Sequence, residues 1–170
     1  YMSGILYKDE KPKKVEIKQE KKEEVKEEKQ IENKPINEYI GYLNIPKINL
    51  NKGFLDINSP NNTVEKNIQV IEGSDYPDKE KGNLIIAGHS GTGWKAFFND
   101  LYKLEQGDTL IVSYKEHKYI YKIVNIYQQP KIGQVAIYRN YDRQTLTLIT
   151  CTNSSDKDQT IYISELKSIE

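Results

Sequence analysis

The feature that most constrains this chain is a series of short β-branched and aliphatic runs from residue 35 onward. Each is closed by Gly, Pro, Asn or Ser clusters. Runs of this length, bounded by such residues, read as strands and turns. Strands are expected at Tyr39–Ile45, Lys47–Leu50, Ile68–Ile71, Asn83–Ala87, Thr109–Tyr114, Lys118–Tyr127, Thr145–Thr152 and Thr160–Ile163, with Leu166 closing the last. Trp94, Phe97, Phe98, Leu101 and Leu104 recur at helical spacing, with Thr92 as the cap. A short helix is also expected at Thr63–Asn67, and a turn of helix at Val135–Tyr138 inside a long loop over 128–143. Many short strands with few helices favour a β-barrel or sandwich over an alternating α/β fold.

Residues 1–34 have a different composition. Lys and Glu dominate residues 8–34, and Val15, Ile17, Val25 and Ile31 are too sparse to offset the entropy of ordering. The segment reads as a solvated stalk, with transient helix over Lys21–Lys29, or as a leader without a role. Before it, Tyr1-Met2-Ser3-Gly4-Ile5-Leu6-Tyr7 is apolar and uncharged. It reads as the end of a removed signal or membrane anchor, or as residues foreign to the native chain. The domain proper is expected over 35–170.

Charge excludes little but is informative. The 25 basic and 25 acidic residues balance, so nothing calls for nucleic acid or an acidic partner. No apolar run approaches the ~20 residues of a membrane span. The single cysteine rules out an internal disulfide and a Cys-rich zinc site.

That cysteine, Cys151, ends the strand Thr145-Leu146-Thr147-Leu148-Ile149-Thr150-Cys151-Thr152. Side-chain alternation puts Leu146 and Leu148 on one face and Thr147, Ile149 and Cys151 on the other. The polar loop after it leaves the thiol reachable. A thiol attacks as thiolate and needs a cation or base beside it, most often His. Of the two histidines, His117 lies among Lys115, Glu116 and Lys118 and reads as a solvated turn residue. His89 follows the buried run Leu84–Ala87, inside Gly88-His89-Ser90-Gly91-Thr92-Gly93. Spacing alone does not bring His89 to Cys151, and a buried cysteine acting as a small hydrophobe stays open.

Taken together, Leu84-Ile85-Ile86-Ala87-Gly88-His89, then Phe97-Phe98-Asn99-Asp100-Leu101-Tyr102-Lys103-Leu104, then Gly107-Asp108, then Thr145–Cys151 resemble the sortase family. Gly41-Tyr42-Leu43-Asn44-Ile45-Pro46-Lys47-Ile48 resembles its opening strand, and the match runs from about residue 39 to 167. The resemblance implies a mostly β fold, a closed eight-stranded sortase-type barrel with one or two short helices. It implies a cysteine transpeptidase on the extracellular face of a Gram-positive membrane, associated with the cell wall. The membrane anchor would be N-terminal and not contained in this chain. The partners implied are the sorting-signal peptide of surface proteins, LPXTG-like, and an amine acceptor of a peptidoglycan precursor. Cys151 would be the nucleophile and His89 the general acid and base.

The family's Arg on the following strand, counted back from Leu166, falls on Gln159. A neutral amide would then stand where a guanidinium holds substrate and oxyanion. Gln159 itself, or Arg139 or Arg143 from the preceding loop, would have to substitute. Thr150 and the loop residues Ile132, Val135, Ile137 and Tyr138 are candidates for a substrate groove; the loop residues serve equally as anchors of the loop. No cofactor is expected. Some relatives bind Ca²⁺, but the loop acids here are too scattered to support that. Thr152 is similar to class B, whereas the short connections resemble classes A, D and E. Ser74-Asp75-Tyr76-Pro77 is not the lid of pilin-polymerising members, so the chain resembles a class A/D-like enzyme. A surface binding module on the same barrel, or a cysteine hydrolase releasing peptide to water, are the competing functions.

Overall fold

A computed structural model describes residues 6–9, 15–16, 38–91, 93, 96–152 and 157–170, the first two segments by backbone alone. Eleven strands are present among these residues. They are β1 (Leu6–Asp9), β2 (Val15–Glu16), β3 (Gly41–Ile45), β4 (Leu50–Phe54), β5 (Gln69–Val70), β6 (Asn83–Ala87), β7 (Thr109–Tyr114), β8 (His117–Pro130), β9 (Gln134–Ile137), β10 (Thr145–Cys151) and β11 (Asp158–Ile169). Eight of them form one sheet in the order β4-β3-β7-β8-β11-β10-β6-β5, nearly closed into a barrel. The expected mostly β barrel is therefore the observed architecture.

The sheet has two apolar faces, and strand alternation assigns them. Leu146 and Leu148 of β10 join Leu43, Ile45, Leu84, Ile86, Leu110 and Tyr121 in the barrel interior. Ile149 points the other way, into a second cluster with Ile85, Ala87, Ile161 and Ile163. Val64, Ile71, Val135 and Ile137 complete this second cluster. β10 is therefore buried on both faces, and its continuous apolar run is what such a strand requires.

β9 lies over the second cluster, held by side chains of β8. The Gln129 amide donates to Ala136 O at 3.1 Å and accepts from Ala136 N–H at 3.1 Å. The Tyr127 hydroxyl donates to Ala136 O at 2.8 Å and accepts from Tyr138 N–H at 3.0 Å. The expected turn of helix at 135–138 is thus replaced by a strand, because Val135 and Ile137 bury one face by alternation rather than at helical spacing. β9 also pairs in parallel with β1, Leu6 opposite Gln134 through Asp9 opposite Ile137. Within the expected stalk, β1 and β2 are the two segments described; its helix at 21–29 lies outside the described residues.

Three other local expectations are corrected. The segment 96–104 is not an α-helix. Its bonds close at three residues (Asn99 to Ala96, Leu101 to Phe98, Leu104 to Leu101), and the one helical element is a 3-10 turn at Leu101–Lys103. Phe98, Leu101 and Leu104 are still buried in the interior, so the apolar spacing is satisfied by tighter turns. Trp94 and the expected cap Thr92 lie outside the described residues. Residues 63–67 form a turn rather than a short helix, with Asn67 N–H and Lys66 N–H both bonded to Thr63 O. The β7–β8 hairpin turns on Lys115 and Glu116 alone, both at positive φ (47° and 68°), which places exposed His117 at the first position of β8.

Candidate functional site

Strand register brings the site together. β6 and β10 run parallel with Ala87 opposite Ile149. Two residues past this pair, His89 lies in the loop that follows β6 and Cys151 ends β10. Adjacent strands lie about 4.8 Å apart, so the two residues leave the sheet side by side. Three bonds keep the chains together past the ladder. Gly88 N–H donates to Ile149 O at 3.1 Å, the Thr150 hydroxyl donates to Gly88 O at 2.9 Å, and the Ser90 hydroxyl donates to Cys151 O at 3.2 Å.

Gly88 is required at its position by space rather than by backbone angle. A Cβ there would stand 2.8 Å from two ring carbons of Phe98. That ring is in place because Phe98 N–H donates to His89 O at 2.9 Å and Asn99 Oδ1 accepts from Gly91 N–H at 2.9 Å. The loop carrying His89 is thus stitched to the segment 96–101 on one side and to β10 on the other.

On the other side of β10, Cys151 pairs with Gln159 of β11, and Gln159 pairs with Gln129 of β8. Directly opposed residues present their side chains on the same face, so Cys151, Gln159 and Gln129 form one row. Gln159 is 2 % exposed, and its Oε1 has no hydrogen-bond partner among the described residues. An unsatisfied buried acceptor costs about 1–3 kcal/mol.

A cation that no sequence pattern marks stands beside the thiol. β8 ends at Pro130, and Lys131 turns back so that its N–H donates to Lys157 O at 2.9 Å. Its Nζ then stands 3.5 Å from Cys151 Sγ. A lysine after a proline in a polar stretch looks like any solvated loop charge, and no spacing ties position 131 to position 151.

Both arginines lie at the opposite end of β10. Arg139 donates to the Thr145 hydroxyl at 3.2 Å and to Lys81 O at 2.8 Å, and stacks over Tyr141. Arg143 pairs with Glu165, which is itself opposite Thr145. Six residues of extended strand, ~20 Å, separate that end from Cys151. Neither arginine reaches the thiol.

At the site end the barrel opens into a cavity of about 310 Å³, with Cys151 at its rim. Its lining includes Phe98, Tyr102, Leu104, Ile126, Thr150 and Tyr162. Burial pushes the Tyr162 phenol up to about 12, so it stays neutral at working pH. Of the expected groove residues, Thr150 lines this cavity. Val135 and Ile137 are 1 % and 0 % exposed and anchor β9, whereas Ile132 and Tyr138 are 72 % and 60 % exposed. Among the described residues no cluster of three or more His, Cys, Asp or Glu is placed to hold a metal ion.

The fold and site define a nearly closed β-barrel presenting a thiol and an imidazole at adjacent strand ends. The family model for the sortase domain matches residues 43–166, and the chain belongs to the sortase family. It is similar in structure to the Sortase D5 transpeptidase of Clostridium perfringens, with 27 % identity, a TM-score of 0.63 and coverage of 85 % of this chain and 89 % of that one. Sortase A of Corynebacterium diphtheriae, as a lid mutant, shares the fold at 17 % identity, a TM-score of 0.67 and coverage of 91 % and 84 %. Sortase C of Streptococcus pneumoniae does so at 20 % identity, a TM-score of 0.65 and coverage of 78 % and 70 %. The fold neighbours span three sortase classes, so the fold by itself selects none of them. No curated protein matches the sequence at a significant level.

Proposed function

We propose that this sortase is a cysteine transpeptidase that cleaves a C-terminal sorting signal, LPXTG-like, and joins the shortened protein to a cell-wall amine. The observation that supports the reading is the parallel register of β6 and β10, whose last pair, Ala87 opposite Ile149, comes two residues before His89 and Cys151 in sequence. Cys151 Sγ attacks the carbonyl carbon of the scissile peptide bond. His89 delivers a proton to the departing amine, leaving a thioester. An incoming amine, deprotonated by His89, attacks the thioester and releases the thiol. Gln159, buried and facing the same side as the thiol, bonds the substrate backbone near the scissile group. Membrane attachment through a segment N-terminal to this domain, and action outside the cell, follow from the same reading.

The test is product analysis of a cleaved signal peptide with and without a small amine nucleophile. A transpeptidase gives an amine-conjugated product that replaces the free acid as amine is added. His89→Gln lowers turnover ~100- to 10,000-fold. A free acid formed at the same rate at every amine concentration would identify a hydrolase. A wild-type protein that binds the peptide without turnover would identify a binding module.

A further inference from the structure

We propose that Lys131 is a catalytic residue of this enzyme, supplying at Cys151 the positive charge that Gln159 lacks. The inference rests on the transpeptidase reading. Its Nζ is 3.5 Å from Cys151 Sγ. The backbone holds it there for reasons independent of the ion. Pro130 has no N–H and ends the β8 ladder, Lys131 N–H is bonded to Lys157 O at 2.9 Å, and Gly133 takes a positive φ of 90° that turns the chain toward β9. β9 is in turn clamped by Gln129. Both arginines are committed at the far end of β10.

An ammonium at this distance attracts negative charge that builds up at the reacting atoms. When Sγ bonds to the scissile carbonyl carbon, the carbonyl oxygen takes the negative charge within a few ångströms of Sγ, inside reach of the lysine stem. The electron pair then returns to re-form the carbonyl and expel the amine, which takes its proton from His89. Lys131 acts throughout as a charge and a donor. It offers three rotatable donors in place of a rigid fork, so it stabilises the developing charge without clamping the substrate in two places.

Charge beside the thiol can be read without any substrate. Iodoacetate and iodoacetamide each form a carbon–sulfur bond at Cys151 and release iodide, but only the first is an anion. The ratio of their rates, followed by intact mass, should exceed that of a free thiol by about fivefold or more. Lys131→Gln should bring the ratio to the free-thiol value, and Lys131→Arg should keep it. With a cleavable peptide, Lys131→Gln should lower kcat ~100-fold or more with little change in KM, and Lys131→Arg should recover most of it. An unchanged ratio in Lys131→Gln, or a ratio lost in Lys157→Gln instead, overturns the assignment. A Lys131-dependent ratio in a wild-type protein that cleaves no peptide supports the Lys131–Cys151 pairing and counts against the transpeptidase reading.

Discussion

At the scale of single residues, the site depends on Gly88 as much as on the two groups that flank it. Its N–H and C=O both bond to β10, and its missing Cβ leaves room for the Phe98 ring. Gly88→Ala keeps an ordinary backbone angle, so its cost comes from packing alone. Chemical denaturation should show a loss of about 1–3 kcal/mol, with a fall in turnover beyond what the folded fraction explains, because His89 is the next residue. Equal stability and activity in the variant would show that Phe98 yields freely and does not position the loop. Cys151 and His89 were legible in the sequence as candidates, since a strand ending in a thiol and a glycine loop ending a buried strand are local patterns. Lys131 was not, because its role comes from a turn after Pro130 and a register between strands that no local pattern encodes.

At the scale of elements, strands buried on both faces were read correctly and the loop-side elements were not. Asn83–Ala87 has the expected bounds and Thr145–Cys151 ends one residue short of them, because continuous β-branched and aliphatic runs fit a strand covered on both sides. The run from Phe97 to Leu104 failed as a helix for a specific reason. Asn99 spends its side chain on Gly91 N–H, and Phe98 N–H is used by His89 O, so the segment bonds to its neighbour loop instead of to itself.

The same competition operates at the turn that follows. Asp108 Oδ2 accepts from Glu105 N–H at 2.7 Å and from Lys47 Nζ at 2.9 Å, tying the start of β7 to the 3-10 turn at Pro46–Ile48. Partial burial opposes the charged form, but these two bonds outweigh it and hold the carboxyl below its ordinary range. A depressed carboxyl stabilises the fold above its unfolded value, about 3.9, and that contribution is lost as pH falls through the folded value. Asp108→Asn should therefore cost about 0.5–1 kcal/mol at neutral pH, and the gap from wild type should close in acid below about pH 4. A gap that persists unchanged in acid would mean that the amide disturbs packing rather than removing a charge.

At the scale of the whole molecule, one sheet serves two purposes. Its inner face builds the barrel core, and its outer face, covered by β9, buries Ile149 and Gln159 and brings the partly exposed Cys151 to one end of the sheet. No helix among the described residues is long and apolar enough to cross a membrane. The central claim is that Cys151 forms an acyl-enzyme with a sorting signal. It is tested most directly by the intact mass of the protein after incubation with a panel of signal peptides, with Cys151→Ala alongside. The expected result is an adduct equal to the N-terminal part of one peptide, present in wild type and absent in Cys151→Ala. An adduct that survives in Cys151→Ala, or cleavage of the peptide with no adduct on rapid quenching, would contradict it.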